Sequence, residues 1–175
     1  MYKAVASILI VCLVFGGSFA YAEGTTTVLQ DSDVAAIRAN CVSVQTVLNR
    51  IHSSDALARV NLGQQYETIS TKLMAPLNSR VALNRLDGVA LTQTTVKYNT
   101  KLNEFRSLYQ QYEQTLLRAI QIKCTDQPVA FFDTLNLARD HRAAVREAVV
   151  DLSGLVKRYG EEASALHQAI KGITK

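Results

Sequence analysis

The chain has no tryptophan and is short of proline, glycine and cysteine, holding two, eight and three of them in 175 residues. With only Pro76 and Pro128 as strong helix breakers, long stretches are free to coil, and the strict apolar-polar alternation of half-buried strands is scarce. The few glycines are too scattered to cradle a phosphate, so neither a Walker loop nor a dinucleotide fingerprint is present, and a Gly-x-Ser-x-Gly elbow is also missing. His52, His141 and His167 are dispersed without His-x-x-x-His or Cys-His spacing; no metal site is expected, and all three read as helix-surface residues. The adjacent acids Glu161 and Glu162 point in different directions on a helix and suit a solvated face. No catalytic or cofactor-binding residue emerges, and a non-enzymatic protein without cofactor is expected.

Charge of one sign is also lacking. Nineteen Lys plus Arg against fifteen Asp plus Glu give +4, spread evenly, with no concentrated basic face or nucleic-acid module. Nucleic acid is therefore not an expected partner.

The beginning of the chain, MYKAVASILIVCLVFGGSFAYA, combines a short region carrying Lys3, an uncharged apolar stretch from Ala4 to Phe15, and Ala20-Tyr21-Ala22 before Glu23. This is the order of a secretory signal peptide ending in a small-residue cleavage site, over residues 1–22. An uncleaved anchor is the competing reading, because Ala4 to Ala22 holds no charge. Gly16, Gly17 and the Ala-x-Ala site favour cleavage, and Cys12 follows Val11 in place of the small residue that a lipidation site needs. After cleavage no membrane span is expected, and the location is extracytoplasmic: secreted, periplasmic or at the cell envelope. The mature chain from Glu23 suits one domain long enough to bury a core without a metal. Residues 23–32, which include the aperiodic EGTTTVLQ, read as a flexible tail, and 33–175 as the domain.

Three long helical segments fit the rest. The first begins after Asp31 or Ser32, either of which can cap a helix. Its inward positions read Val34, Ile37, Cys41, Val44, Leu48, Ile51, Asp55, Ala58, Leu62, Tyr66, Ile69 and Leu73. Steps of three and four alternate as in a coiled coil until an extra four-residue step at Tyr66. A second seam runs Leu91, Thr95, Tyr98, Leu102, Phe105, Tyr109, Tyr112, Leu116, Ala119 and Lys123. The third starts at Pro128, a residue favoured in a helix's first turn, and runs Phe131, Leu135, Ala138, Arg142, Val145, Val149, Leu152, Val156, Tyr159, Ala163, Leu166, Ile170 and Ile173. Between the first two segments, Pro76, Asn78, Ser79, Asp87 and Gly88 punctuate a connection; Pro76 either ends the first helix or only kinks it, with helix continuing to Leu86.

The cysteines decide how these helices are arranged. In an antiparallel hairpin the midpoint between Cys41 and Cys124 falls inside the connection between Pro76 and Gly88, so the two thiols meet at the open end. A structural disulfide is expected in an oxidising compartment. No Cys-x-x-Cys argues for redox work. The predicted fold is an all-α, elongated up-down-up antiparallel three-helix bundle with coiled-coil-like packing and one disulfide. Counted from the stapled end, the charged seam residues Asp55 and Arg142 both lie ~21 Å along the rod, with Tyr109 at similar height. They are candidates for a polar layer that sets register; the alternatives are that both side chains reach past the bundle edge into solvent, or that they form a ligand site, although one Asp, one Arg and a Tyr make no recognised constellation.

The stretch LGQQYETISTKLMAPLNSR, Leu62 to Arg80, taken with the Cys41 and Cys124 spacing, resembles a group of uncharacterised exported helical proteins from small-genome candidate-phylum bacteria. That resemblance implies export and a helical fold, and no activity. The function expected from the residues is that of an interaction protein, a scaffold, adaptor or adhesion component with a protein partner or self-association. Alternatives are a chaperone-like holdase outside the cytoplasm and a self-assembling structural protein.

Overall fold

The structure, a computed structural model, describes residues 29–173. The signal-peptide reading, Cys12 and most of the proposed tail lie outside the described residues. Three helical rods make up the described chain, with no strand among the described residues. The first rod is α1 (Asp31–Thr68), a π-helical turn (Ile69–Met74) and α2 (Ala75–Leu83), joined without leaving right-handed helical backbone. The second is α3 (Val89–Gln121) and the third α4 (Pro128–Ile173). No helix among the described residues is long and apolar enough to cross a membrane.

The first helix starts at Asp31, earlier than the capping residues expected from the sequence. Gln30 holds the cap in extended backbone, and its amide donates to the Asp33 carboxylate at 3.0 Å. A carboxylate in the first turn also meets the positive end of the helix dipole. Pro76 neither ends nor sharply breaks the rod. It has no amide to donate to the Lys72 carbonyl, and the wider π turn just before it supplies a different pairing, the Ala75 amide to the Ser70 carbonyl. The extra residue in that turn rotates the register. Met74 becomes 1% exposed where the regular seam places Leu73, and Leu73 is 60% exposed.

The rod stops at Leu83, not Leu86. Arg85 adopts φ 55°, the Leu86 amide bonds the Val81 carbonyl at 3.0 Å and the Arg85 amide bonds the Ala82 carbonyl at 3.0 Å. This is a Schellman closure with arginine where glycine is usual. Gly88 then passes so near Val81 that an added Cβ would sit 2.6 Å from its Cγ1.

The second seam is buried from Leu91 to Ala119 apart from half-buried Thr95, and its expected last member, Lys123, is exposed beyond the helix end. On α4 the third seam faces inward from Phe131 to Ile170 except at Arg142, and Ala148, off the seam, is buried as well. Two core clusters result. One gathers Tyr66, Met74, Val81, Leu91, Tyr98, Leu102, Phe105, Leu152 and Tyr159; the other surrounds Cys41 and Cys124 with Leu48, Tyr109, Tyr112, Leu116 and Phe131.

Candidate functional site

Where the two core clusters meet, the seams carry Asp55 and Ala58 on α1 and Arg142 on α4, none of which can insert a large apolar knob. The consequence is a cleft of about 560 Å³ between α1 and α4 with α3 as its floor. Phe105, Tyr109 and Tyr112 of α3 line it with Leu62, Val145 and Val149. Four arginines also line it: Arg59 from α1, and Arg139, Arg142 and Arg146 from α4. The three on α4 are spaced by three and four residues, which sets them one above another on one helix face. Asp55 is the only carboxylate among the lining residues.

Asp55 joins all three rods. Its Oδ2 accepts from the Tyr112 hydroxyl at 2.5 Å, and its Oδ1 lies 3.4 Å from an Arg142 nitrogen. The two contacts differ in weight. The Arg142 side chain is 57% exposed, so the ion pair contributes about 0–1 kcal/mol, whereas the half-buried tyrosine bond to a charged acceptor contributes about 1.5–3 kcal/mol. Burial, and then the bond to Asp55, push the Tyr112 hydroxyl pKa well above its ordinary value. Tyr109 lines the same cleft with a different partner, the Arg59 guanidinium, which lies 5.0 Å from its ring centroid. Burial raises the Tyr109 pKa too.

The structure thus brings Asp55, Arg142 and Tyr109 to one cleft, and Tyr112 and Arg59 complete the contacts. From sequence alone Tyr112 reads as packing, and Arg59, one residue from the Ala58 seam position, does not stand out. The i, i+4 step from Asp55 to Arg59 is the signal that could have found it.

Cys41 and Cys124 stand at disulfide distance, with Cα atoms 5.8 Å apart and a sequence separation of 83. Beside them Gln45 offers its Nε2 to the carbonyls of Ala119, Ile120 and Ile122 at 3.3, 3.0 and 2.7 Å, meeting acceptors that the end of α3 leaves open. Arg38 Nε donates to the Thr125 carbonyl at 2.9 Å. Further along, the Tyr98 hydroxyl donates to the Tyr66 carbonyl at 3.0 Å, and the Tyr159 hydroxyl reaches Met74 O at 3.1 Å and Asn78 Oδ1 at 2.8 Å. These hydroxyls bind a carbonyl just before the π turn, at Tyr66, and the carbonyl of its last residue, Met74.

His52, His141 and Glu162, read from sequence as surface residues, are all half-buried. His141 is half-buried with Nδ1 3.1 Å from Thr115 Oγ1, and Glu162 accepts from Thr94 Oγ1 at 3.0 Å. Among the described residues no cluster of three or more His, Cys, Asp or Glu could hold a metal ion. No family model, curated protein or solved structure matches this chain.

Proposed function

We propose that this is an exported, non-enzymatic helical interaction protein, a scaffold, adaptor or adhesion component acting at or beyond the cell envelope. Its architecture in this reading is an elongated up-down-up antiparallel three-helix bundle. The pairings of Asp55 with Tyr112 and Tyr66 with Tyr98 support an antiparallel course for α1 and α3, and those of Thr94 with Glu162 and Thr115 with His141 do so for α3 and α4. The cysteine pair fits an oxidising compartment, as export would provide.

The observation that carries the interaction reading is the unequal cover of the helices. α3 buries ten of its 33 residues, and α1 buries three of 38. α1 also leaves Val42, Val47, Leu57 and Val60 exposed, Leu57 by 70%. A helix this bare, bonded to α3 near both ends, has a flank free for a partner. Tyrosine and arginine, which dominate the neighbouring cleft, are the residues that most often anchor protein interfaces.

A photo-crosslinking amino acid placed at Leu57 or Val60, with Asp126 as control, tests this in producing cells. One defined adduct from the α1 positions and none from the control is the expected result; no adduct from α1 overturns the reading. A holdase is the second reading, favoured by the apolar tip formed by Leu83, 83% exposed, and Val89, 62% exposed. It predicts many unrelated adducts, concentrated at the tip.

A further inference from the structure

We infer that the cleft between α1 and α4 is a binding site for a small amphiphilic anion, an apolar body carrying a carboxylate or phosphate group. The chemistry of the lining divides into two parts. Phe105, Leu62, Val145 and Val149 offer an apolar floor, and four arginines stand with it against one carboxylate. Asp55 already engages Arg142 and the Tyr112 hydroxyl, so it cannot neutralise the remaining guanidinium groups. Arg146 has no hydrogen-bond or ion-pair partner among the described residues, and Arg139 reaches only the neutral Asn136 amide, at 3.1 Å. Arg59 points a buried Nε at no acceptor while its guanidinium lies over the Tyr109 ring. A buried donor without a partner is rare in a folded protein.

The size of the cleft selects the occupant. Its walls run only from Asp55 to Leu62 on α1 and from Arg139 to Val149 on α4, two to three helical turns. That is short for a helix lying lengthwise in a groove, and about 560 Å³ falls within the range of pockets that hold small molecules. Guanidinium groups recognise carboxylate and phosphate in a forked, two-bond geometry, so both head groups fit the same site. This inference is independent of the partner proposed for the exposed flank of α1.

The test is isothermal titration of the mature, oxidised protein with decanoate, decyl phosphate, decanol and decyltrimethylammonium, each below its micelle concentration. Saturable one-to-one binding of the two anions is expected, at least tenfold weaker for the alcohol and undetectable for the cation. Arg59→Gln combined with Arg146→Gln should weaken anion binding at least tenfold, and Arg50→Gln, on the exposed outer part of α1, should leave it unchanged. Both are exposed or half-exposed charge changes, and circular dichroism checks that each variant remains helical. Preference for the phosphate over the carboxylate, or the reverse, tells which head group the site takes. Equal binding of all four compounds, or anion binding that survives the double arginine change, overturns the proposal. So does the absence of saturable anion binding when an acidic helical peptide binds, or when sedimentation shows this face occupied by a second copy.

Discussion

Five tyrosines and one arginine show what single residues contribute to this molecule. Burial, followed by the neighbouring Tyr66 and Glu67, pushes the Tyr98 hydroxyl up to about 12. The unfolded chain loses that proton near the ordinary tyrosine value, so between about 10 and 12 the unfolded state binds fewer protons than the folded one. Stability is then fully present below pH 10 and falls as pH rises through this window. Tyr66, Tyr109, Tyr112 and Tyr159 are all raised, with burial as the main cause, and act in the same direction. Urea titrations at pH 8 and pH 11 should show this loss. Tyr98→Phe should cost about 1 kcal/mol at pH 8 through the lost bond to the Tyr66 carbonyl, and should make the decline above pH 10 shallower. An unchanged pH slope in that variant would remove Tyr98 from the account. Arg85, at φ 55°, sits in a conformation that costs a non-glycine residue about 1–2 kcal/mol. Arg85→Gly should raise stability by about 1 kcal/mol in the same titration, after the extra entropy of glycine in the unfolded chain is set against that relief.

The helices as elements were legible in the sequence, and their phase was not always so. The step pattern from Phe131 onward and the near absence of proline announced α4, because an apolar repeat of that period, held over so many turns, rarely arises outside a helix with one buried face. The inward set of α3 followed for the same reason. Along the first rod the repeat held up to Tyr66 apart from exposed Ala58 and then misled, since it assigned Leu73 to the core where the π turn inserts Met74. Pro76 was the visible cause, yet whether a proline breaks, kinks or widens a helix depends on which carbonyl the displaced turn can satisfy. Here the hydroxyls of Tyr98 and Tyr159, from α3 and α4, bind the carbonyl of Tyr66 before the turn and that of Met74 at its end. Such long-range partners leave no mark on local sequence. Substitution separates the two registers directly: Met74→Ala should cost about 2–5 kcal/mol, and Leu73→Ala should change stability by no more than about 0.5 kcal/mol. The opposite ranking by chemical denaturation would restore the uninterrupted seam.

At the scale of the whole molecule, the cleft was half legible. Asp55 and Arg142 stood out because a charge on an apolar seam is conspicuous, and equal rise per residue put them at one height. The arginines at 59, 139 and 146 lie off the seams, where charge is ordinary, and only the packing of three rods gathers them. The closed end is the other molecular feature. Cys41 and Cys124, with Gln45 across the end of α3, fix the first part of α1 against its neighbours. Closing so long a loop should stabilise by about 2–4 kcal/mol, so the Cys41→Ser/Cys124→Ser form should unfold at lower urea. In this account the bare flank of α1 serves recognition only while it is held in register. Capture from native envelopes by chemical crosslinking, with the oxidised protein and the Cys41→Ser/Cys124→Ser form side by side and quantitative mass spectrometry as the readout, tests that claim most directly. The account predicts one defined partner, held by the oxidised form and lost from the serine form; an identical catch with both forms, or a broad set of unrelated exported proteins, would contradict it.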